Sequence, residues 1–562
     1  MAALEESKME DSSLGSPNEY YASGVAGKAQ EGHHVELHRG LKARHITMIA
    51  IGGAIGTGLI IGTGSALAKA GPASLLISYS IVGVIVYIVM CALGEMGAWL
   101  PLPSGFTGYA MRFCDPALGF TLGWTYWFKY IILSPNQMTA GSLVMTYWIG
   151  TDRVNAGVWI TIFLILIISI NYFGITFFGE FEFWLSSLKV VVIVGIILLS
   201  VILVLGGGPD HDRKGFRYWK DPGAFNTYIA DGAAGRFYAL WATMVSATFA
   251  FLGTELVGVT VGEAQNPRKT IPRAIKLTFY RILVFYILSV FLVGLLVPYN
   301  SKELLFATKA NSSAAASPFV VAIKLASIPV LPDIINGCIL IFVFSAANSD
   351  LYIATRTIYG LAREGRAPAI LARTDRRGVP IYALAASSVF GLLGYMNVSN
   401  DAKTVFGYFV NLVTIFGLLT WISILVTHIY FVRARKAQGV PVESLAYKAP
   451  FGVTGSSVAL FFCCIISLTK SFDVFTRNPK YGNFDYKTFI TAYLGIPLYL
   501  TLLFGYKFIT KSKGVKPHEA DLWTGKDAID REEAEFLERQ AAMSEKQKQY
   551  GWFYNKFVSW LF

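Results

Sequence analysis

Twelve apolar runs divide this chain of 562 residues, at roughly 46–69, 73–98, 119–149, 157–176, 181–205, 238–262, 279–298, 332–360, 380–397, 403–432, 453–472 and 487–508. Each is close to the roughly 20 residues a helix needs to cross hydrocarbon. Inside a bilayer only helices and closed barrels satisfy their own backbone. An all-α integral membrane protein with twelve transmembrane helices is therefore expected, and the lipid bilayer is its first partner. Charged residues make up 15% of the chain, against about 25% in soluble domains. The formal net charge of +12 then reads as basic loops on one side of a membrane, not as a nucleic-acid surface. Five cysteines (Cys91, Cys114, Cys338, Cys463 and Cys464) lie mostly in or beside apolar runs, without metal spacing and without a disulfide framework. The first 37 residues hold no apolar stretch of the kind a cleavable signal peptide carries.

The flanks differ from the middle. Residues 1–44 are polar and read as a disordered tail, 45–508 as the transmembrane domain, and 509–562 as a second, mixed-charge tail. In that tail, 526–549 reads as a solvated helix carrying Glu532, Glu533, Glu535, Glu538 and Arg539, and the chain ends in YGWFYNKFVSWLF. Basic residues follow the sixth span (Arg268, Lys269, Arg273, Lys276, Arg281), the eighth (Arg356, Arg363, Arg366, Arg373, Arg376, Arg377), the tenth (Arg433, Arg435, Lys436) and the twelfth (Lys507, Lys511, Lys513). These connections share one side, which places both termini in the cytoplasm. The loop after the fifth span, with Arg213, Lys214, Arg217 and Lys220, runs against the trend; Asp210, Asp212 and Asp221 soften the conflict. Sequons at Asn311 and Asn397 fall on the opposite side. Lys8 and Lys28 in the first tail are candidate acceptors for ubiquitin, which makes ubiquitin-ligase adaptors candidate partners of the tails.

The first span is the least helix-like. Six of the thirteen residues from Gly52 to Gly64 are glycine, and each costs a helix about 1 kcal/mol relative to alanine. A backbone group freed there needs a partner at membrane depth. Two explanations fit this stretch alone: a broken helix that lines a ligand cavity, or close helix packing through small residues. The sixth span, ATFAFLGTELVGVTVGEAQNPRK, is interrupted by Gly253 and Glu255. Two interrupted helices in corresponding positions, five spans apart, point to a binding site at the midplane.

These residues also carry a resemblance. GGAIGTGL in the first span, FAFLGTELVG with GEAQNPRK in the sixth and NSDLYIATR near the eighth resemble the fungal amino acid permeases of the amino acid–polyamine–organocation superfamily. The likeness runs from about Leu37 to Lys511. Within the family it is most similar to the dicarboxylic branch, through ASPFVVAIKLASIPVLPDI, MNVS, FDYKTFITAYLGIPLYL and the final WFYNKF. The resemblance implies a five-plus-five inverted repeat with broken helices 1 and 6, two added C-terminal helices, and proton-coupled uptake across the plasma membrane with no cofactor beyond the proton.

Physical chemistry assigns roles within that frame. N–H groups around Gly56, Thr57 and Gly58 suit the substrate α-carboxylate, because helix N-termini favour anions. Carbonyls near Ala54, Ile55, Ala250 and Phe251, beside Gly253, suit the α-ammonium. Phe249 resembles the aromatic lid of the superfamily, with core packing as its other reading. Ionisable groups inside spans cost at least about 2.5 kcal/mol on insertion scales and are functional candidates by default. The family places a lysine at Lys189, near the cation site of sodium-coupled relatives; a proton-coupling role and a fixed cation bridging spans five and one are both open. Glu255 either exchanges a proton or stabilises the unwound segment. Glu95 reads as structural or as part of the inner gate, and Asp350 as a salt-bridge partner of the nearby basic loops. In span three, many family members place a glutamate at Gln137, and Lys129 stands where others are uncharged. Losing an anion and adding a cation suits a substrate with a second carboxylate, although Lys129 snorkelling to the interface competes with that reading.

The function expected is proton-coupled uptake of glutamate and aspartate, with looser uptake of neutral amino acids. The rivals are a general or neutral amino acid permease and a non-transporting amino acid sensor. An enzyme is not expected, because no metal-ligand cluster, nucleophile–base pair or phosphate loop stands in the right context.

Overall fold

A computed structural model describes residues 56–102, 104–150, 152–173, 175–256, 267–307, 317–399, 402–477 and 481–542. Ala54, Ile55, Lys8, Lys28, Asn311 and the terminal aromatic segment lie outside the described residues. Among those described, every regular element is helical.

The long helices are α1 (58–70) and α2 (72–99), then α3 (Pro116–Met145), α4 (Ala156–Tyr172) and α5 (Ile175–Val204). After a polar loop come α6 (Gly232–Phe251), α7 (267–296) and α8 (Leu331–Arg363). The last transmembrane set is α9 (Ile381–Val389), α10 (Ala402–Ala437), α11 (Gly452–Thr469) and α12 (Tyr486–Thr510), followed by the tail helix α13 (Lys526–Ala542). Eight described helical stretches are both long and apolar enough to cross a membrane. α3 and α6 have the length, but their glycine, threonine and tyrosine lower the hydropathy, because much of each helix faces protein instead of lipid.

Local chemistry sets the boundaries. Gly71, at φ 81°, followed by Pro72, separates α1 from α2, a backbone turn that only glycine adopts without strain. α3 opens on Asp115, whose carboxylate accepts from the Ala117 N–H at 2.8 Å, with Pro116 in the first turn. Asn155 caps α4 and Asp485 caps α12 in the same way. The polar centre is sealed by large side chains: Tyr126, Tyr130, Tyr286 and Trp421 are fully buried. The outer face is the reverse, with Trp184 68% and Val191 69% exposed on α5, an apolar surface that requires lipid.

The tail does not float free. α13 docks through Asp530 and Glu533 on Arg268 at the start of α7. Just ahead of it, Leu522 accepts from the Trp99 indole at 3.0 Å. The expectation of a helix holds, but its acidic residues are partly engaged instead of solvated. Asn397 is also buried, its amide donating to Thr139 and to the Gly394 carbonyl, so its nitrogen is not presented for glycosylation.

Candidate functional site

The two glycine-marked breaks meet. α1 begins at Gly58 as one turn of π-helix, a form that recurs at functional sites. α6 ends at Phe251, where Leu252 turns extended and Gly253 takes φ +92°. A Cβ added to Gly58 would lie 2.5 Å from the Ala250 Cα, so the two backbones touch where the helices stop. An N-terminal helix end, with N–H groups that have no partner in their own helix, therefore stands beside a C-terminal end with spare carbonyls. The first carries partial positive charge and the second partial negative charge. A zwitterion is complementary to such a pair.

The spare acceptors can be narrowed. The Phe249 carbonyl accepts from the Leu252 N–H and the Phe251 carbonyl from the Thr254 N–H. The Ala250 carbonyl accepts none of these bonds, and Ala250 lines the cavity. Phe251 is thus a correction to the sequence reading: its carbonyl is occupied, and its ring stacks on Tyr286 at 4.5 Å, away from the cavity lining. Thr57 does not cap α1 with its side chain; its hydroxyl donates to the Gln137 Oε1 at 2.8 Å and ties the first break to α3.

A cavity of about 30 Å3 lies between these groups, lined by Gly56, Thr57, Gly58, Gln137, Phe249, Ala250 and Gly253 among the expected residues. That is room for a water or two, so a ligand enters only when the lining moves. Phe249 also lines a second, wider cavity of about 460 Å3, together with Lys69, Phe406, Lys470 and Asp473. Phe249 is thus the described residue common to the linings of the small cavity and of this wider vestibule.

The buried charges rearrange the sequence reading most. Lys129 is fully buried, so it does not snorkel, and it does not line the cavity. It pairs with Glu255 and lies over the rings of Tyr126 and Tyr130. Glu255 in turn accepts from the Trp421 indole at 3.3 Å and from the Gly253 N–H at 3.4 Å. This pair pins the residues after the α6 break, and Lys129 is not placed to grip a substrate carboxylate directly. Lys189 lies 3.6 Å from Glu182 on its own helix, and Glu182 accepts from Ser345 on α8 at 2.6 Å. Through Glu182 the contact joins α5 to α8.

Asp350 is the second correction. The expected salt bridge to the basic loops is absent among the described residues. Asp350 instead lines the cavity, 6% exposed, beside Ala346 and Ser349. Sequence reasoning also passed over Glu182, Tyr130 and Ser349. The signal for Asp350 and Ser349 was present: Ala346, Ser349 and Asp350 recur at i, i+3 and i+4 in a long apolar helix, which puts them on one face.

Comparison with known proteins now decides the family. The amino acid permease family model matches residues 45–518. The chain belongs to the amino acid permease family. The permease is 53% identical to the dicarboxylic amino acid permease of Saccharomyces cerevisiae over 94% of this chain and 87% of that one. It is 40% identical to the proline-specific permease of Emericella nidulans, over 90% and 92% of the two chains. The lysine-specific permease of Saccharomyces cerevisiae is also 40% identical, over 86% and 78%. These relatives transport; the permease is not an enzyme.

Proposed function

We propose that this permease takes up glutamate and aspartate together with protons across the plasma membrane, by alternating access, with both termini in the cytoplasm. The observation that carries an amino acid as ligand is the junction of the two broken helices, Gly58 against Ala250, with opposite helix ends facing one cavity. Support for an acidic substrate comes from the extent of likeness to the dicarboxylic relative. Support for proton coupling comes from the potential. Drawing an anion into a negative interior costs about 2.3 kcal/mol per 100 mV; one proton cancels the substrate charge, and two or more let the potential assist. Inward current on glutamate addition is the expected outcome. Proton flux at 1:1 without current would remove the electrogenic form.

A second reading, a general or neutral amino acid permease with the same mechanism, is favoured by one feature of the site. Among the described residues no lysine or arginine lines the inner cavity, since Lys129 is held by Glu255. Competition of labelled glutamate uptake by aspartate, alanine and lysine separates the two. Strong competition by aspartate alone supports the acidic reading, and equal competition by alanine supports the general one.

A further inference from the structure

Six acidic and basic side chains meet around the inner cavity, and among the described residues only one of them lines it. Lys129 is matched by Glu255, and Lys189 by Glu182, with all four side chains fully buried. Arg281, also buried, faces Glu255 from α7. Asp350 has no cation within ion-pair distance among the described residues, and its Oδ2 has no hydrogen-bond partner although it is buried. The groups turned toward it are Gln137, Lys129, Tyr126 and Tyr130 from α3, and Lys189 and Glu182 from α5. A buried carboxylate oxygen with nothing bound to it stands at the wall of the space the substrate must occupy.

We infer that Asp350 is the carboxyl group that takes up a proton before an anionic substrate is held, so that this proton travels with the substrate. The inference rests on the acidic, proton-coupled reading above and names the residue responsible. Two negative charges sharing a water-poor site disfavour each other, and protonating one of them removes the conflict. The alternatives are engaged elsewhere. Taking the proton from Lys189 strands the charge of Glu182, and adding one to Glu255 dissolves the contact with Lys129 that pins the α6 break. The step is a proton transfer only: the ionised Asp350 carboxylate gains a proton from water on the vestibule side. It loses that proton to water on the opposite side after the substrate leaves. Phe249 is the barrier to the first of these transfers, because among the described residues it is the one that lines both the inner cavity and the vestibule.

The test is glutamate binding to the purified full-length permease as a function of pH from 5 to 8. In the wild-type permease the affinity should fall by up to about tenfold per pH unit on the alkaline side, the slope of one linked proton. Asp350→Asn, which holds the protonated charge permanently, should flatten that slope, and Asp350→Glu should restore it. A merely structural role would change the affinity and leave the slope alone. An Asp350→Asn slope equal to that of the wild type overturns the inference. Should that variant fail to fold, proton uptake by the wild type on glutamate addition in weak buffer decides: about one proton per glutamate supports the inference, and none overturns it. A wild-type permease that binds alanine but no glutamate at any pH is a different failure, that of the acidic reading itself.

Discussion

The inner cavity is walled unequally. Toward the vestibule there is one ring, Phe249, edge-on to Phe406 at 6.0 Å between centroids. Toward the other face, contacts accumulate. Leu252 packs so closely on Gly417 that an added Cβ would meet it at 2.2 Å. Lys129, Glu255 and Trp421 form a buried polar knot. Glu95 on α2 accepts from the Ala449 N–H at 2.8 Å and contacts His428 at 3.3 Å. The tail then covers Trp99, Arg112 and Arg268. A gate of one side chain opens by a rotation, whereas a wall of interlocked polar contacts opens only by moving helices. Access to the cavity from the vestibule thus needs the smaller movement, and access from the tail face needs the larger rearrangement.

The largest effect should come from breaking the thick wall at its buried pair. Glu255→Leu leaves Lys129 charged, buried and unpaired, a change that costs about 3–5 kcal/mol in other proteins. Thermal unfolding of the purified protein should fall accordingly, and transport of glutamate and alanine should be lost together. The double variant Lys129→Met/Glu255→Leu should recover most of the stability, because an apolar replacement of a buried pair is often neutral. An unchanged melting temperature for Glu255→Leu would mean the pair does not hold that wall.

Next comes the junction of the two breaks. Gly58→Ala forces a methyl to within 2.5 Å of the Ala250 Cα, backbone that cannot yield cheaply, and overpacking of this kind costs about 1–3 kcal/mol. Substrate affinity should drop about tenfold or more on that figure. Gly62→Ala, one turn toward the vestibule, meets nothing nearer than a Phe249 ring carbon at 4.0 Å and should bind nearly as the wild type does. Equal losses at the two positions would show that glycine serves general flexibility here and not a specific approach.

These contrasts mark what the sequence could show. Two glycine breaks five spans apart foretold a midplane site, and Gly56, Thr57, Gly58, Gln137, Phe249, Ala250 and Gly253 do line one cavity. Apolar runs gave the helices because lipid leaves no other choice. What resisted reading was pairing between distant helices. Lys129 and Glu255 are 126 positions apart, and nothing local says that one neutralises the other. Lys129 therefore looked available for substrate, and Asp350, three residues into a polar patch of α8, looked like a neighbour of the basic loops. Charge partners are a property of the assembled bundle, whereas helix breaks are a property of the segment.

The thin gate should be the easier to remove. Phe249→Ala joins the cavity to the vestibule without disturbing a polar contact. In a Ser349→Cys background, labelling by a membrane-impermeant thiol reagent added on the vestibule side should speed up several-fold. Bound glutamate should exchange faster, as expected when a lid is lost. Labelling at the unaltered rate would mean that something other than this ring separates the two spaces.

The smallest effect is expected at the outermost layer, where α13 meets Arg268. Arg268 pairs with Asp530 and Glu533, and pairs like these, partly open to solvent, contribute roughly 0–1 kcal/mol. Arg268→Ala should therefore leave the fold intact and raise hydrogen exchange only within 526–542. The pH response has a definite sign. Burial raises the Asp530 carboxyl, but Lys526 and Arg268 lower it more, so it sits below its usual 3.8. A depressed acid contributes in full above its unfolded value and loses that contribution as pH falls through the folded one. Docking should then be flat from pH 5 to 8 and weaken only below about pH 4, whereas 0.5 M salt should weaken it at neutral pH by screening. A tail that loosens between pH 5 and 7 would have to be held by some other titrating group. The sensitivity of the tail face would then come from beneath α13 and not from Arg268.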